Sequence, residues 1–354
     1  MGNKAAKIRF IFSVVLILGS LACMMGCGKA EEKATEGEPV QEDKIQIGMS
    51  FDSFVIERWQ RDRDVFVSTA KELGAETNVQ NANGDIETQK SQIEYFIEKK
   101  MDVIVIICID SDGLKEVVQK AKDAGIKVIA YDRLIKNAGV DLYISFDNEM
   151  VGTMMGRALA DNGMAGKKVL MLCGSKTDNN VSLVEEGFRK VMRENHIEII
   201  DTAYADGWKA ELASDYIYDN PDKVMQAEAI MCGNDDIASQ VVRALAEKRL
   251  AGKVGVVGQD ADLAACQRIV EGTQIMTVYK PVEKLAQSAA KYAVMLAKGE
   301  ELEDADIIDD GSSQIPYVAL VPISVNKDNM DEEIINSGFH LQEDVYLNVP
   351  YKKN

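Results

Sequence analysis

Short apolar runs alternate along the chain with segments whose apolar residues recur at helical spacing. Ile45–Met49 reads as a strand, Trp59–Leu73 as a helix, and Val79 lies in a second strand. Ile86–Lys99 is helical, with Ile93, Phe96 and Ile97 on one face, and Leu114–Ala124 is a helix ended by Gly125. Val103–Cys108 is a continuous apolar run of the kind buried on both faces of a parallel sheet. Lys127–Tyr131 is the next strand, and after Ser145-Phe146-Asp147-Asn148 the pattern restarts. Asn148 is read as the N-cap of a helix Glu149–Ala160.

The second series predicts strands at Lys168–Cys173, Ile197–Tyr204, Ala227–Cys232, Val254–Val257 and Ile275–Tyr279. Helices are expected at Leu183–Glu194, Ala210–Tyr218, Ile237–Glu247 and Leu263–Glu271. A long helix Val282–Lys298 follows, opened by Pro281. A strand Tyr317–Val321 and a short helix near Glu332–Asn336 come last. Strand–helix repetition with short connections predicts doubly wound parallel sheets. Two such series in 354 residues imply two α/β lobes of one fold type.

Polar and aromatic residues stand just beyond many of these runs: Arg58 with Trp59, Asp132 with Arg133, Asp178 with Asn180, then Trp208, Asn234, Asp260 and Lys280. Ligands of open α/β sheets gather outside the carboxyl ends of the strands, so residues far apart in sequence meet in one place. The types suit a small, neutral, hydroxyl-rich molecule. Aromatic rings stack on apolar C–H faces, and planar polar groups meet a hydroxyl rim in two-pronged hydrogen bonds. The chain has only two Trp, and one ring from each lobe would sandwich a flat sugar. Six of these residues also have a plainer role: core packing for the two Trp rings, a surface ion pair for Asp132–Arg133, and helix capping for Asn234 and Asp260.

Charge and composition narrow the picture. A formal net charge of −18, from 58 acidic and 40 basic residues, argues against nucleic acid or an anionic membrane surface as partner. Lys4, Lys7 and Arg9 precede an apolar stretch Phe10–Met25, which is the pattern of a secretory leader. Cys27 after Gly26, or Cys23 after Ala22, resembles a lipobox cysteine; an ordinary secretory signal is the alternative. Residues 28–43 are charged and aperiodic, as in a flexible leash. Cys108, Cys173, Cys232 and Cys266 are expected as buried thiols rather than disulfides. Neither His196 nor His340 sits in a catalytic motif, and no G-x-S-x-G, P-loop, dinucleotide fingerprint or zinc spacing is present. No cofactor, metal or enzymatic role is therefore expected. Asp residues beside Arg and Asn partners are expected to stay ionised.

Several runs together resemble bacterial D-xylose-binding proteins, the sugar-binding components of ABC transporters. They are Glu57-Arg58-Trp59-Gln60-Arg61-Asp62-Arg63-Asp64, Tyr131-Asp132-Arg133, Tyr143–Glu149, Thr177-Asp178-Asn179-Asn180, Asp206-Gly207-Trp208, Gly258–Leu263 and Met276–Pro281. The resemblance extends from about Lys44 to about Gln342, and Lys176-Thr177 departs from the family's apolar pair. It implies the type I periplasmic binding protein fold, two Rossmann-like lobes joined by a three-crossing hinge. The crossings would fall near Phe146–Asn148, Lys280–Val282 and Gly311–Pro316. The implied organisation is a lipoprotein signal peptide 1–27, a tether 28–43, one lobe of 44–147 plus 281–311, a second of 148–280 plus 312–345, and a tail 346–354. It further implies that Arg58, Asp132, Arg133, Asp178, Asn180, Asn234, Asp260 and Lys280 hold sugar hydroxyls while Trp59 and Trp208 stack on the ring. The expected protein is a lipid-anchored, extracytoplasmic monomer that takes D-xylose, or another pentose or hexose, to a membrane permease. A sensory role beside a chemoreceptor or kinase is the alternative.

Overall fold

The computed structural model describes residues 44–163 and 166–350. The expected signal peptide, Cys23, Cys27 and the leash lie outside the described residues, as do residues 351–354.

The first lobe begins β1 (Gln46–Phe51), α1 (Arg58–Glu72), β2 (Glu76–Asn81), α2 (Ile86–Glu98), β3 (Val103–Ile106), α3 (Lys115–Asp123), β4 (Lys127–Tyr131) and β5 (Leu142–Phe146). The chain then crosses to the second lobe. There it forms α4 (Asn148–Asp161), β6 (Lys168–Cys173), α5 (Asn179–Glu194), β7 (Glu198–Tyr204), α6 (Glu211–Asp219) and α7 (Pro221–Gln226). The lobe continues with β8 (Ala229–Cys232), α8 (Asp235–Glu247), β9 (Gly255–Gln259), α9 (Leu263–Glu271) and β10 (Met276–Tyr279). A second crossing leads to α10 (Val282–Ala297), β11 (Asp306–Asp309) and β12 (Gln314–Leu320), and a third to β13 (Ile323–Asn326) and α11 (Gln342–Val345).

Two sheets result, in the orders β11-β12-β5-β4-β3-β1-β2 and β13-β10-β9-β8-β6-β7. The third crossing lies between Leu320 and Ile323, beyond the Gly311–Pro316 stretch expected from the sequence. The reason is pairing: Tyr317 sits opposite Tyr143 in a parallel ladder with β5, so residues 314–320 belong to the first lobe. Only at β13 does the chain join the second sheet, antiparallel to β10. The expected tail also begins late, since Tyr346 and Val349 pack against the α9–α11 end of the second lobe and Asn348 donates to Glu271 at 2.8 Å.

Central strands are apolar on both faces because helices cover both. Val103–Ile106 and Ala229–Cys232 are wholly buried. In the second lobe α4 and α5 cross so closely that a Cβ at Gly152 would overlap the Val184 carbonyl, and one at Gly187 the Glu149 carbonyl. Helix starts are fixed by side-chain caps. Asp147, not Asn148, caps α4 by accepting from Met150 N at 2.9 Å, and Asn148 instead donates to Ser145 Oγ and Phe146 O. Cys108, Cys173, Cys232 and Cys266 are free and buried.

Candidate functional site

The strands of both sheets end where the lobes face one another, and the side chains just past those ends converge. Nine of the ten residues picked from the sequence, Arg58, Trp59, Asp132, Arg133, Asp178, Asn180, Trp208, Asp260 and Lys280, line one cavity of about 310 Å³, its mouth included. Ile56 and Gln259 complete the wall. Asn234 is the one that stands apart. It is buried, but its Oδ1 accepts from Ile237 N at 2.9 Å and so caps α8, the plainer of its two expected roles.

The charged groups are paired with each other. Arg58, on the first turn of α1, donates Nε and Nη2 to Asp62 at 3.2 and 3.0 Å, and its Nη1 lies 3.0 Å from Asp132 Oδ2. Tyr131 Oη donates to the same Asp62. Arg133 contacts Asp52 at 2.8 Å through Nη1 and Asp178 at 2.8 Å through Nε. Lys280 Nζ lies 3.2 Å from Asp260 Oδ1. Three cations and three carboxylates line the cavity, so the wall carries no net charge.

Burial and charge compete at each carboxylate. Burial alone would raise Asp132, but Arg58, Lys280 and Arg133 together hold it below the ordinary carboxylate range. Asp178 goes the other way. Desolvation outweighs Arg133 and the Asn180 backbone N–H, and its carboxyl is raised. Behind the wall, burial likewise raises Asp52 and Asp62 despite their Arg partners. These two carboxylates were missed in the sequence, where Asp62 looks like one more charge on a polar helix.

The aromatic groups are not arranged as a bare pair. Trp59 is 2% exposed and Trp208 half-buried. The Arg133 guanidinium lies 5.5 Å from the Trp59 ring and 5.8 Å from the Trp208 ring, and Arg58 lies 4.5 Å from Trp59. Trp208 rests edge-on upon Gly174, where any Cβ would collide with three of its ring carbons. Among the described residues, four polar atoms of the wall are buried without a hydrogen-bond partner: Asp260 Oδ1, which keeps its ion pair with Lys280, and the neutral atoms Trp59 Nε1, Trp208 Nε1 and Gln259 Oε1. Of the three neutral atoms, two are donors and one is an acceptor.

The backbone is held in uncommon conformations at the same place. Asp132, Trp208, Asp260 and Ala261 have φ of 64°, 59°, 100° and 56°. Asp tolerates this region, whereas a Trp there is an outlier of the kind that persists where surrounding structure fixes it.

The lobes also touch directly. Asn180 Nδ2 donates to the Asp132 carbonyl at 3.0 Å. Nearer the rim, Ser111 N donates to Thr177 O at 2.9 Å, Thr177 Oγ1 to Ile109 O at 3.1 Å, and Asn179 N to Ser111 Oγ at 3.1 Å. At these contacts the first lobe meets the second through α5 and the loop before it.

Residues 47–301 match the family model described as a periplasmic binding protein domain. Among curated proteins, the D-xylose-binding periplasmic proteins of Haemophilus influenzae and Escherichia coli are each 43% identical over 310 residues. The match covers 85% of this chain and 92% and 93% of theirs. Among solved structures, an ABC transporter solute-binding protein from Clostridium phytofermentans with bound β-D-glucose superposes with a TM-score of 0.76 at 27% identity, over 85% of this chain and 99% of that one. A carbohydrate transporter solute-binding protein from Chloroflexus aurantiacus in complex with D-glucose gives 0.78 at 26% identity, over 84% and 98%.

Proposed function

The chain belongs to the periplasmic binding protein family, and we propose that it captures D-xylose between its lobes outside the cytoplasm and hands it unchanged to an ABC permease. One observation carries the reading. The cavity's cations and carboxylates neutralise one another, while buried neutral atoms of Trp59, Trp208 and Gln259 lack protein partners. A charged ligand would meet no net countercharge there. A hydroxyl both donates and accepts, so a polyol satisfies such a mixed set. The 43% identity to two D-xylose-binding proteins favours that pentose over a hexose.

In this reading Arg58, Asp132, Arg133, Asp178, Asn180, Asp260 and Lys280 hold the hydroxyls. Trp59 and Trp208 cover the apolar faces of the ring. Asp132 comes from the first lobe and Asp178 from the second, so sugar stabilises the closed arrangement by touching both. Asp132 is held ionised by three cations and cannot act as a general acid near neutral pH. The N-terminal Cys27, or Cys23, carries the lipid that keeps a monomeric protein at the outer face of the membrane. A thermal-shift panel of D-xylose, D-ribose, L-arabinose, D-glucose and D-galactose on the full chain tests the reading. D-Xylose is expected to raise Tm most, because only the folded form binds it. A panel in which no sugar moves Tm refutes it.

A further inference from the structure

Resting on that sugar-binding reading, we propose that Gln259 is a specificity-determining contact whose Oε1 accepts a hydrogen bond from one hydroxyl of the sugar. Gln259 is the last residue of β9 and is 4% exposed. Its Nε2 donates to the Gly233 carbonyl of the neighbouring strand end. That bond fixes which end of the amide faces where, because a carbonyl needs a donor opposite it. The other end, Oε1, is buried with no partner in the protein. Leaving a buried carbonyl unpaired costs stability, so its retention in the wall of a ligand cavity calls for a partner brought by the ligand.

The surroundings say what kind of partner. Gln259, Asn180 and Trp208 belong both to the main cavity and to a small side pocket beside it. The rest of that side pocket is walled by Cys173, Val181, Val184 and Met231 together with Gly174 and Gly233. Asn180 and Gln259 are the two side-chain amides that line this region. Asn180 Oδ1 has Tyr143 Oη within 3.3 Å, a donor it shares with the Asp132 carbonyl, whereas Gln259 Oε1 has no partner in the protein. A neutral acceptor beside apolar walls selects an O–H donor. It discriminates against an analogue that presents hydrogen at that carbon, because the carbonyl is then left desolvated and unpaired. The reading also explains why Gln rather than a carboxylate stands beside Asp260. A second negative group would add to the charge that Lys280 already balances at 3.2 Å.

The test is a cycle between one side chain and one hydroxyl. Full-length wild type and Q259M are titrated calorimetrically with D-xylose and with its 2-, 3- and 4-deoxy analogues. Methionine keeps the length and removes the acceptor. Q259M is expected to bind D-xylose about tenfold more weakly. One deoxy analogue is expected to bind both proteins equally, which identifies the hydroxyl; the others lose affinity by the same factor in both. Equal D-xylose affinity in the two proteins overturns the assignment, and so does a set of analogues none of which is coupled to residue 259. If Q259M does not fold, Q259L carries the same cycle. A wild type that binds no sugar refutes the reading of the whole site rather than of Gln259 alone.

Discussion

Gly174→Ala adds one methyl group, and the structure says where it goes. A Cβ at this position would lie 2.5 Å from Cζ2 of Trp208 and nearer still to two adjacent ring carbons. Carbon atoms in contact prefer about 3.5–4.0 Å, so the indole must retreat by at least about 1 Å. Gly174 is not among the glycines with positive φ, so alanine imposes no backbone strain and the effect isolates the collision. Trp208 packs on the second lobe's core and also on the first lobe's, through the cavity wall. Moving it opens the stacking surface that a pyranose face would occupy. Lost stacking and burial together are on the order of 1–3 kcal/mol, or roughly 5- to 150-fold in Kd. Calorimetric titration of D-xylose measures this. The decisive comparison is with Trp208→Ala, because once the ring is gone the methyl has nothing to push. G174A/W208A should therefore bind no more weakly than W208A. Wild-type affinity in G174A, or losses that simply add in the double variant, would refute the claim that Gly174 acts by seating Trp208.

Two further outcomes follow from the rim and from the buried carboxylates. Thr177→Val with Ser111→Ala removes two of the three hydrogen bonds joining the lobes near the mouth. A net loss of about 1 kcal/mol should weaken D-xylose about fivefold and speed its release in stopped-flow fluorescence; unchanged Kd and release rate would show that these bonds do not bias closure. Desolvation raises Asp235 to about 7 and Asp236 to about 6, against the pull of Arg268, and raises Asp262 as well, with Glu57 and Asp260 adding repulsion. A carboxyl whose folded pKa is raised holds more protons when folded, so stability is greatest below its ordinary pKa and declines as pH rises toward about 7. Tm without ligand is therefore expected to be higher at pH 5 than at pH 8, with the difference reduced in D235N. A Tm that climbs over that interval would contradict the assignment.

The cavity's outline was legible in the sequence because polar punctuation after apolar runs marks strand ends, and strand ends of parallel sheets share one edge. Arg58, Asp132, Asp178, Trp208, Asp260 and Lys280 stand out for that reason. What escaped depends on contacts between distant segments. Asp62 reads as one charge among many on α1, and only the fold buries it against Arg58 and Tyr131. Gln259 reads as the polar end of a strand, since nothing local says that its Oε1 lacks a partner. Gly174 looks like an ordinary turn glycine until Trp208 lands on it. The third crossing was placed too early because Gln314–Leu320 carries no signal of which sheet it joins. Parallel pairing with Leu142–Phe146, itself not picked out as a strand, decides it. Asn234 satisfied both of its expected roles by residue type, and the geometry supports the cap.

The central claim is that both lobes jointly enclose a neutral sugar and leave its bonds intact. Small-angle scattering of the full chain, with and without saturating D-xylose, tests it when the sugar is recovered and weighed against the input by mass spectrometry. The account predicts a smaller radius of gyration on addition of D-xylose, or an already compact particle that D-xylose protects from opening in mild urea, with all sugar recovered unaltered. A particle whose compactness and resistance to opening ignore D-xylose, or a sugar returned chemically changed, would contradict it.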